Sequence, residues 1–160
     1  MIEGQTQTYR LEDTTKEAFG LFVAWLYIQK INIRVPEDQT SKLASALPIL
    51  WVLAEKLLIP SLQNLTIDSI EQYRKDEKVI LGPSIKYIYS NTSTGSPLRK
   101  LLVDQCASSV MRTAYSENPE IYPQEMLIEL AGVMRGMIID NKQPPAIRDM
   151  AQFHVKEDDE

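Results

Sequence analysis

Apolar residues recur at three- and four-residue spacing over most of this 160-residue chain. Alternation with a period of two, which is typical of strands, occurs only over residues 5–11. Spacing of three and four residues places apolar side chains on one face of an α-helix. The sequence therefore predicts a mainly α fold, a bundle of about six helices with at most one short N-terminal strand.

Capping residues and prolines mark the helices of the first half. Residues 14–17 (TTKE) fit a capping box, in which the Thr14 hydroxyl accepts a hydrogen bond from the amide of Glu17. Pro48 interrupts an apolar pattern over residues 38–58. Because proline lacks an N–H, the helix either kinks there or restarts near Ala46, and we favour the restart. Pro60 suits the first turn of the next helix.

Three more helices are predicted in the second half. They begin at Gly82-Pro83, at Ser96-Pro97 and near Pro123. The last one carries on one side the apolar residues Leu127, Leu130, Ala131, Met134 and Ile138. The methionines are interpreted mainly as core packing, with an adaptable binding face as the alternative; they are Met111, Met126, Met134 and Met137.

Composition excludes several classes of protein. Hydrophobic residues make up 44% of the chain and charged residues 24%, which is typical of a globular domain. A net charge of −5 argues against nucleic-acid binding, which usually requires a basic surface. The apolar runs are too short for a membrane span or a signal peptide, and one cysteine cannot form an internal disulfide. We expect an intracellular protein, in the nucleus or the cytoplasm.

The residues that usually carry chemistry are scarce. One histidine, His154, and one cysteine, Cys106, cannot make a closed zinc site, whose four ligands are usually Cys and His. His154 falls in a predicted flexible acidic tail over residues 141–160, and Cys106 falls in a predicted helix as a small buried side chain. We therefore predict no catalytic residue, no metal and no cofactor.

Several short segments together resemble one known family. They are residues 9–13 (YRLED), Ala18-Phe19, Trp25-Leu26-Tyr27, residues 53–57 (LAEKL) and residues 59–64 (IPSLQN). In this order they resemble the C-terminal half of a BTB/POZ domain of the fungal kind. The resemblance implies a family-signature core made of Phe19, Phe22, Trp25, Leu26, Tyr27, Trp51, Leu53, Ala54, Leu57, Pro60 and Leu62.

The resemblance also implies a domain organisation. Residues 1–76 would form a partial BTB/POZ-like domain, residues 77–140 a helical C-terminal extension, and residues 141–160 the tail. No counterpart of the family's N-terminal half, which supplies most of its sheet and dimer interface, precedes Glu3. Met1-Ile2-Glu3 is similar to the motif with which BTB proteins contact cullin scaffolds.

Two hypotheses of function follow. The leading one is a non-enzymatic protein–protein interaction module, a self-associating adaptor or a substrate adaptor of a cullin-type ubiquitin ligase, whose uncovered apolar surface leads to oligomerisation or poor solubility. The alternative is a small all-helical enzyme or ligand-binding protein. Its pocket would lie between helices, with Arg99, Tyr87 and Tyr89 as polar groups.

Overall fold

The computed structural model describes residues 13–34, 37–109, 113–142 and 147–157. These residues are mainly helical and contain no strand, which confirms the predicted mainly α fold. The predicted strand over residues 5–11 lies outside them. The α-helices are α1 (Lys16–Ile28), α2 (Glu37–Lys56), α3 (Pro60–Glu77), α4 (Ile85–Asn91), α5 (Pro97–Ser109), α6 (Ala114–Glu117) and α7 (Gln124–Ile139). Short 3-10 helices cover Gly82–Ser84, Pro119–Ile121 and Met150–Phe153.

The first helix begins one residue later than the capping box predicts. Thr15, not Thr14, is the N-cap, and its hydroxyl accepts a hydrogen bond of 3.2 Å from the amide of Ala18. Glu17 forms an ion pair of 2.7 Å with Lys42 of α2. The prediction for Thr14 was therefore wrong by one position.

Pro48 lies inside α2 without ending it, so the predicted restart near Ala46 is wrong. Proline removes one backbone hydrogen bond, and its cost inside a helix is about 3 kcal/mol. Around it Leu47, Leu50 and Trp51 are fully buried, and each contributes roughly 1.5–3 kcal/mol. Burial of this face therefore outweighs the cost of the proline.

One hydrophobic core crosses the predicted boundary at residues 76 and 77. The fully buried apolar side chains come from α2, α3, α4, α5 and α7; among the largest are Trp51, Leu62, Ile67, Ile88, Leu98, Leu101 and Met126. Within the described residues, the two regions that the sequence predicts on either side of this boundary therefore share their interior.

The family-signature residues divide between the core and the surface. Trp25, Trp51, Leu53, Ala54 and Leu62 are buried, whereas Phe22 and Pro60 are half-buried. The expectation of burial was wrong for Phe19, Leu26, Tyr27 and Leu57, which are exposed. The reason is that α1 packs mainly on α2, so only the stripe of Ala18, Leu21 and Trp25 is covered.

The C-terminal segment differs from the loosely held tail that the sequence predicts. Residues 147–157 pack against α3 and α5, and Arg148 and Phe153 are buried there. His154, expected in a solvated tail, is half-buried and lies 2.7 Å from Asp68. Side-chain bonds to distant helices hold this segment, and they leave no periodic signal in the sequence.

Candidate protein-interaction surfaces

A buried arginine fixes the position of α7 against α4 and α5. Arg99 donates hydrogen bonds to Thr92 Oγ1 (2.9 Å), the Thr92 carbonyl (2.5 Å), the Tyr89 carbonyl (2.9 Å) and Glu125 (2.6 Å). Its guanidinium also lies 4.3 Å from the centre of the Tyr89 ring. One side chain therefore joins two helices, the loop between them and the first turn of α7.

Two glutamates of α7 complete this cluster. The Tyr89 hydroxyl donates to Glu129 (2.5 Å), and burial together with this hydrogen bond raises the pKa of Tyr89. The hydrogen bond from Arg99 lowers the pKa of Glu125. Because Glu125 and Glu129 are held in this way, the rotation of α7 about its axis is fixed.

The opposite side of α7 is apolar and faces solvent. Met126 and Leu130 are buried on the inner side. We call the outer side the α7 face; it consists of Leu127, Ile128, Ala131, Met134, Ile138 and Ile139, with Arg135 as its charged side chain. Ile128, Ile138 and Ile139 are 66%, 70% and 67% exposed. Contiguous apolar surface of this kind marks interaction sites in soluble proteins.

The predicted stripe of this helix is therefore mostly on the solvent side. Of its residues only Leu130 is buried, so core packing was the wrong interpretation for Met134 and the right one for Met126. The apolar residues of α7 cover more than half of its circumference, so the periodicity alone does not show which side is buried. The polar partners of Glu125 and Glu129 decide which side turns inward, and those partners are distant in sequence.

Two glycines border the α7 face on the side that carries Glu125 and Glu129. A Cβ added at Gly132 or Gly136 would meet no atom within 4 Å, so both positions lie against open space. Glycine inside a helix costs about 1 kcal/mol relative to alanine, and it also allows another backbone to approach closely. The two glycines therefore suit a face on which a second helix packs.

Other exposed apolar side chains lie on α1 and, separately, at the corner after α2. Leu26, Tyr27 and Ile28 end α1 with exposed side chains, and Tyr27 is 84% exposed. Leu58 adopts a left-handed backbone (φ 56°) and is 86% exposed. For a leucine this conformation is uncommon and costly, and it directs an apolar side chain outward.

The alternative hypothesis requires a pocket with convergent charged groups, and one pocket has them. It encloses about 520 Å³ and its charged lining residues are Arg99, Lys100, Asp104 and Glu129. Arg99 and Glu129 already bond within the cluster above, and Asp104 accepts from Arg148. Neither Tyr87 nor Tyr89 lines it. Three of the four charges are therefore satisfied by the protein itself.

Cys106 is buried, in a setting that does not favour a nucleophile. Burial raises the pKa of its thiol to about 12, which disfavours the reactive thiolate. Among the described residues, no cluster of histidine, cysteine and carboxylate side chains could hold a metal ion. None of the described helices has both the length and the apolar character that crossing a membrane requires. Met1, Ile2 and Glu3 lie outside the described residues.

Comparisons of the chain with protein-family models, with curated proteins and with solved structures found no match. Function is therefore inferred from the surfaces of this chain.

Proposed function

We propose that this protein is a non-enzymatic protein-interaction module that associates with a second copy of itself through the α7 face. The observation that supports this is the exposure of six apolar side chains on one side of a helix whose other side is anchored. Pairing of two copies buries the same face twice, as in an isologous dimer. BTB modules, which residues 1–76 resemble, self-associate mainly through the N-terminal half of their domain, so the α7 face carries this proposal by itself.

The expected association is weak. A helix of 16 residues is about 24 Å long, and a pair of such helices buries less than the roughly 800 Å² per partner of a standard interface. Arg135, at the centre of the α7 face, must also remain hydrated or find an acceptor. We expect a dissociation constant in the micromolar range, on the order of 10 µM.

Sedimentation velocity between 1 and 200 µM tests the proposal. We expect the wild type to shift from monomer to dimer with concentration and Ile128→Glu/Ile138→Glu to stay monomeric, since both side chains are exposed and the fold does not need them. Leu58→Glu is the matched control at an exposed apolar position outside the α7 face. A wild type that is monomeric throughout and binds no hydrophobic dye would contradict the proposal.

The adaptor role needs a second docking surface. The exposed side chains of α1, Leu26, Tyr27 and Ile28, provide one that is separate in sequence from the α7 face. A cullin scaffold is the partner that Met1-Ile2-Glu3 implies. Titration of a purified cullin against the wild type and Glu3→Arg, followed by calorimetry, tests this part, and equal binding or no binding by both proteins counts against it.

The pocket of about 520 Å³ supports a second candidate, a small-molecule-binding protein. Its internally paired charges leave Lys100 as the exposed cation at its mouth. A screen of anionic metabolites for thermal stabilisation tests this candidate, because a ligand that binds only the folded state raises the melting temperature. Loss of a shift in Lys100→Ala would place the ligand in this pocket.

A further inference from the structure

Residues 147–157 are held in the manner of a bound peptide. They contact α3 and α5, and Arg148, Phe153 and Val155 make the principal contacts. We call the surface that receives them the segment groove, defined by Asn64, Asp68 and Glu71 of α3 and Asp104 and Ser108 of α5. Each of these five side chains bonds the segment directly.

The segment groove contains a site for one arginine. Arg148 donates to Glu71 (2.9 Å), to Asp104 and to Ser108, and its side chain is 2% exposed. Glu71 also accepts hydrogen bonds from Arg74. Apart from Arg148, Arg74 is thus one positive charge beside two negative charges, those of Glu71 and Asp104. Without Arg148 the site keeps one uncompensated negative charge, which is costly at this depth. The groove therefore requires a cation.

A second contact recognises backbone, and the Glu157 carboxylate is a further acceptor of the Asn64 amide (2.9 Å). The Asn64 amide nitrogen donates to the Val155 carbonyl (3.0 Å) and its oxygen accepts from the Val155 amide (2.8 Å). This pair fits any residue in an extended conformation. Between it and the arginine site, Phe153 is buried at 4% exposure. The groove thus recognises an arginine, a phenylalanine five residues later, and the extended backbone that follows the phenylalanine.

We propose that the segment groove is a recognition site for a partner protein's segment that carries this arginine and phenylalanine at the same spacing, with a 3-10 turn between them as in Met150–Phe153, and that residues 147–157 occupy it as an intramolecular competitor. Charge complementarity between Glu71, Asp104 and the arginine selects the partner. The site does not use the α7 face, so it is independent of the self-association proposed above.

A cleavable connector tests this without altering the groove. Residues 143–146 are replaced by a site for a specific protease, and the cut protein is titrated with a fluorescent synthetic peptide of residues 147–157. We expect exchange with a dissociation constant of about 10 µM. The uncut protein should bind about 100-fold more weakly, because a tethered segment competes at an effective concentration of about 1 mM.

Peptide variants distinguish specific recognition from nonspecific binding. Arg148→Ala in the peptide should weaken binding at least about 100-fold, since one partner of a buried pair is removed. Phe153→Ala should weaken it at least tenfold, whereas Lys156→Ala, at an exposed position, should change it less than twofold. Equal binding of all four peptides would overturn the proposal.

Two other results would also overturn it. In one, the cut fragment never leaves, even in a large peptide excess, so residues 147–157 are part of the permanent core. In the other, the groove accepts the segment only from a second folded copy and never as a free peptide. Circular dichroism of the cut protein shows whether it stays folded throughout.

Discussion

Glu71 is a buried carboxylate with three side-chain donors. Burial alone would raise its pKa, but hydrogen bonds from Arg74 and Gln105 and the charge of Arg148 lower the pKa to about 2, from 4.5. Since the folded pKa is the lower one, the stabilisation is complete above about pH 4.5 and is lost as the pH falls toward 2. A shift of this size corresponds to about 3 kcal/mol.

The pH dependence of unfolding checks this. We expect the urea-unfolding free energy of the wild type to fall between pH 5 and pH 2.5, and Glu71→Gln to have a shallower slope there because its amide does not titrate. Glu117→Gln, at an exposed site on α6, should keep the wild-type slope. Identical slopes for the wild type and Glu71→Gln would show that Glu71 is not paired as described.

At single positions, the sequence predicts apolar burial better than polar burial. Trp25 and Trp51 lie on helical stripes and both are buried, as expected. Arg148 was not recognised, because its partner Glu71 is 77 residues away and an ion pair follows no period. The sequence wrongly predicts that His154 lies in solvent for the same reason, since its partner Asp68 lies 86 residues earlier.

Among the helices, α2 contains an internal proline, Pro48, which lowers its stability. Pro48→Ala should restore the missing hydrogen bond to Ala44 and remove a cost of about 3 kcal/mol, while losing about two buried methylene groups at about 0.8 kcal/mol each. We therefore expect the unfolding free energy to rise by about 1–2 kcal/mol in chemical denaturation. A loss of stability would mean that the proline ring is required by the packing.

Substitution of the α7 glycines should affect the stability of the fold and its dimerisation in opposite directions. Gly132→Ala and Gly136→Ala should each raise the unfolding free energy by about 1 kcal/mol, because both sites are helical and open. They should also weaken dimerisation severalfold, because a methyl group keeps a second helix away from the α7 face. Gly20→Ala in α1 should give the stability gain alone. Stronger dimerisation of the α7 variants would contradict close helix packing.

Helix starts were predictable because their signals are local. Pro60 and Pro97 lie at the first positions of α3 and α5, as expected. The side of α7 that turns inward was not predictable, because its apolar residues cover more than half of its circumference and distant polar partners decide the rotation. Continuity of α2 through Pro48 likewise depends on packing against α3, which no local pattern contains.

At the scale of the whole molecule, the helical class was predictable and the arrangement was not. Periodicity identifies mainly α structure, but the shared core and the attached segment 147–157 arise from contacts between distant residues. The BTB-like organisation of residues 1–76 remains a prediction. The central claim concerns α7, whose outer side exposes six apolar side chains.

Disulfide cross-linking at Ala131 tests that claim most directly. Ala131→Cys places an exposed thiol at the middle of the α7 face, whereas Cys106 is buried and stays unreactive. Under mild oxidation at 50 µM we predict a covalent dimer for Ala131→Cys and none for Glu117→Cys, an exposed control on α6. Equal dimer formation by both variants, or none by either, would contradict association through the α7 face.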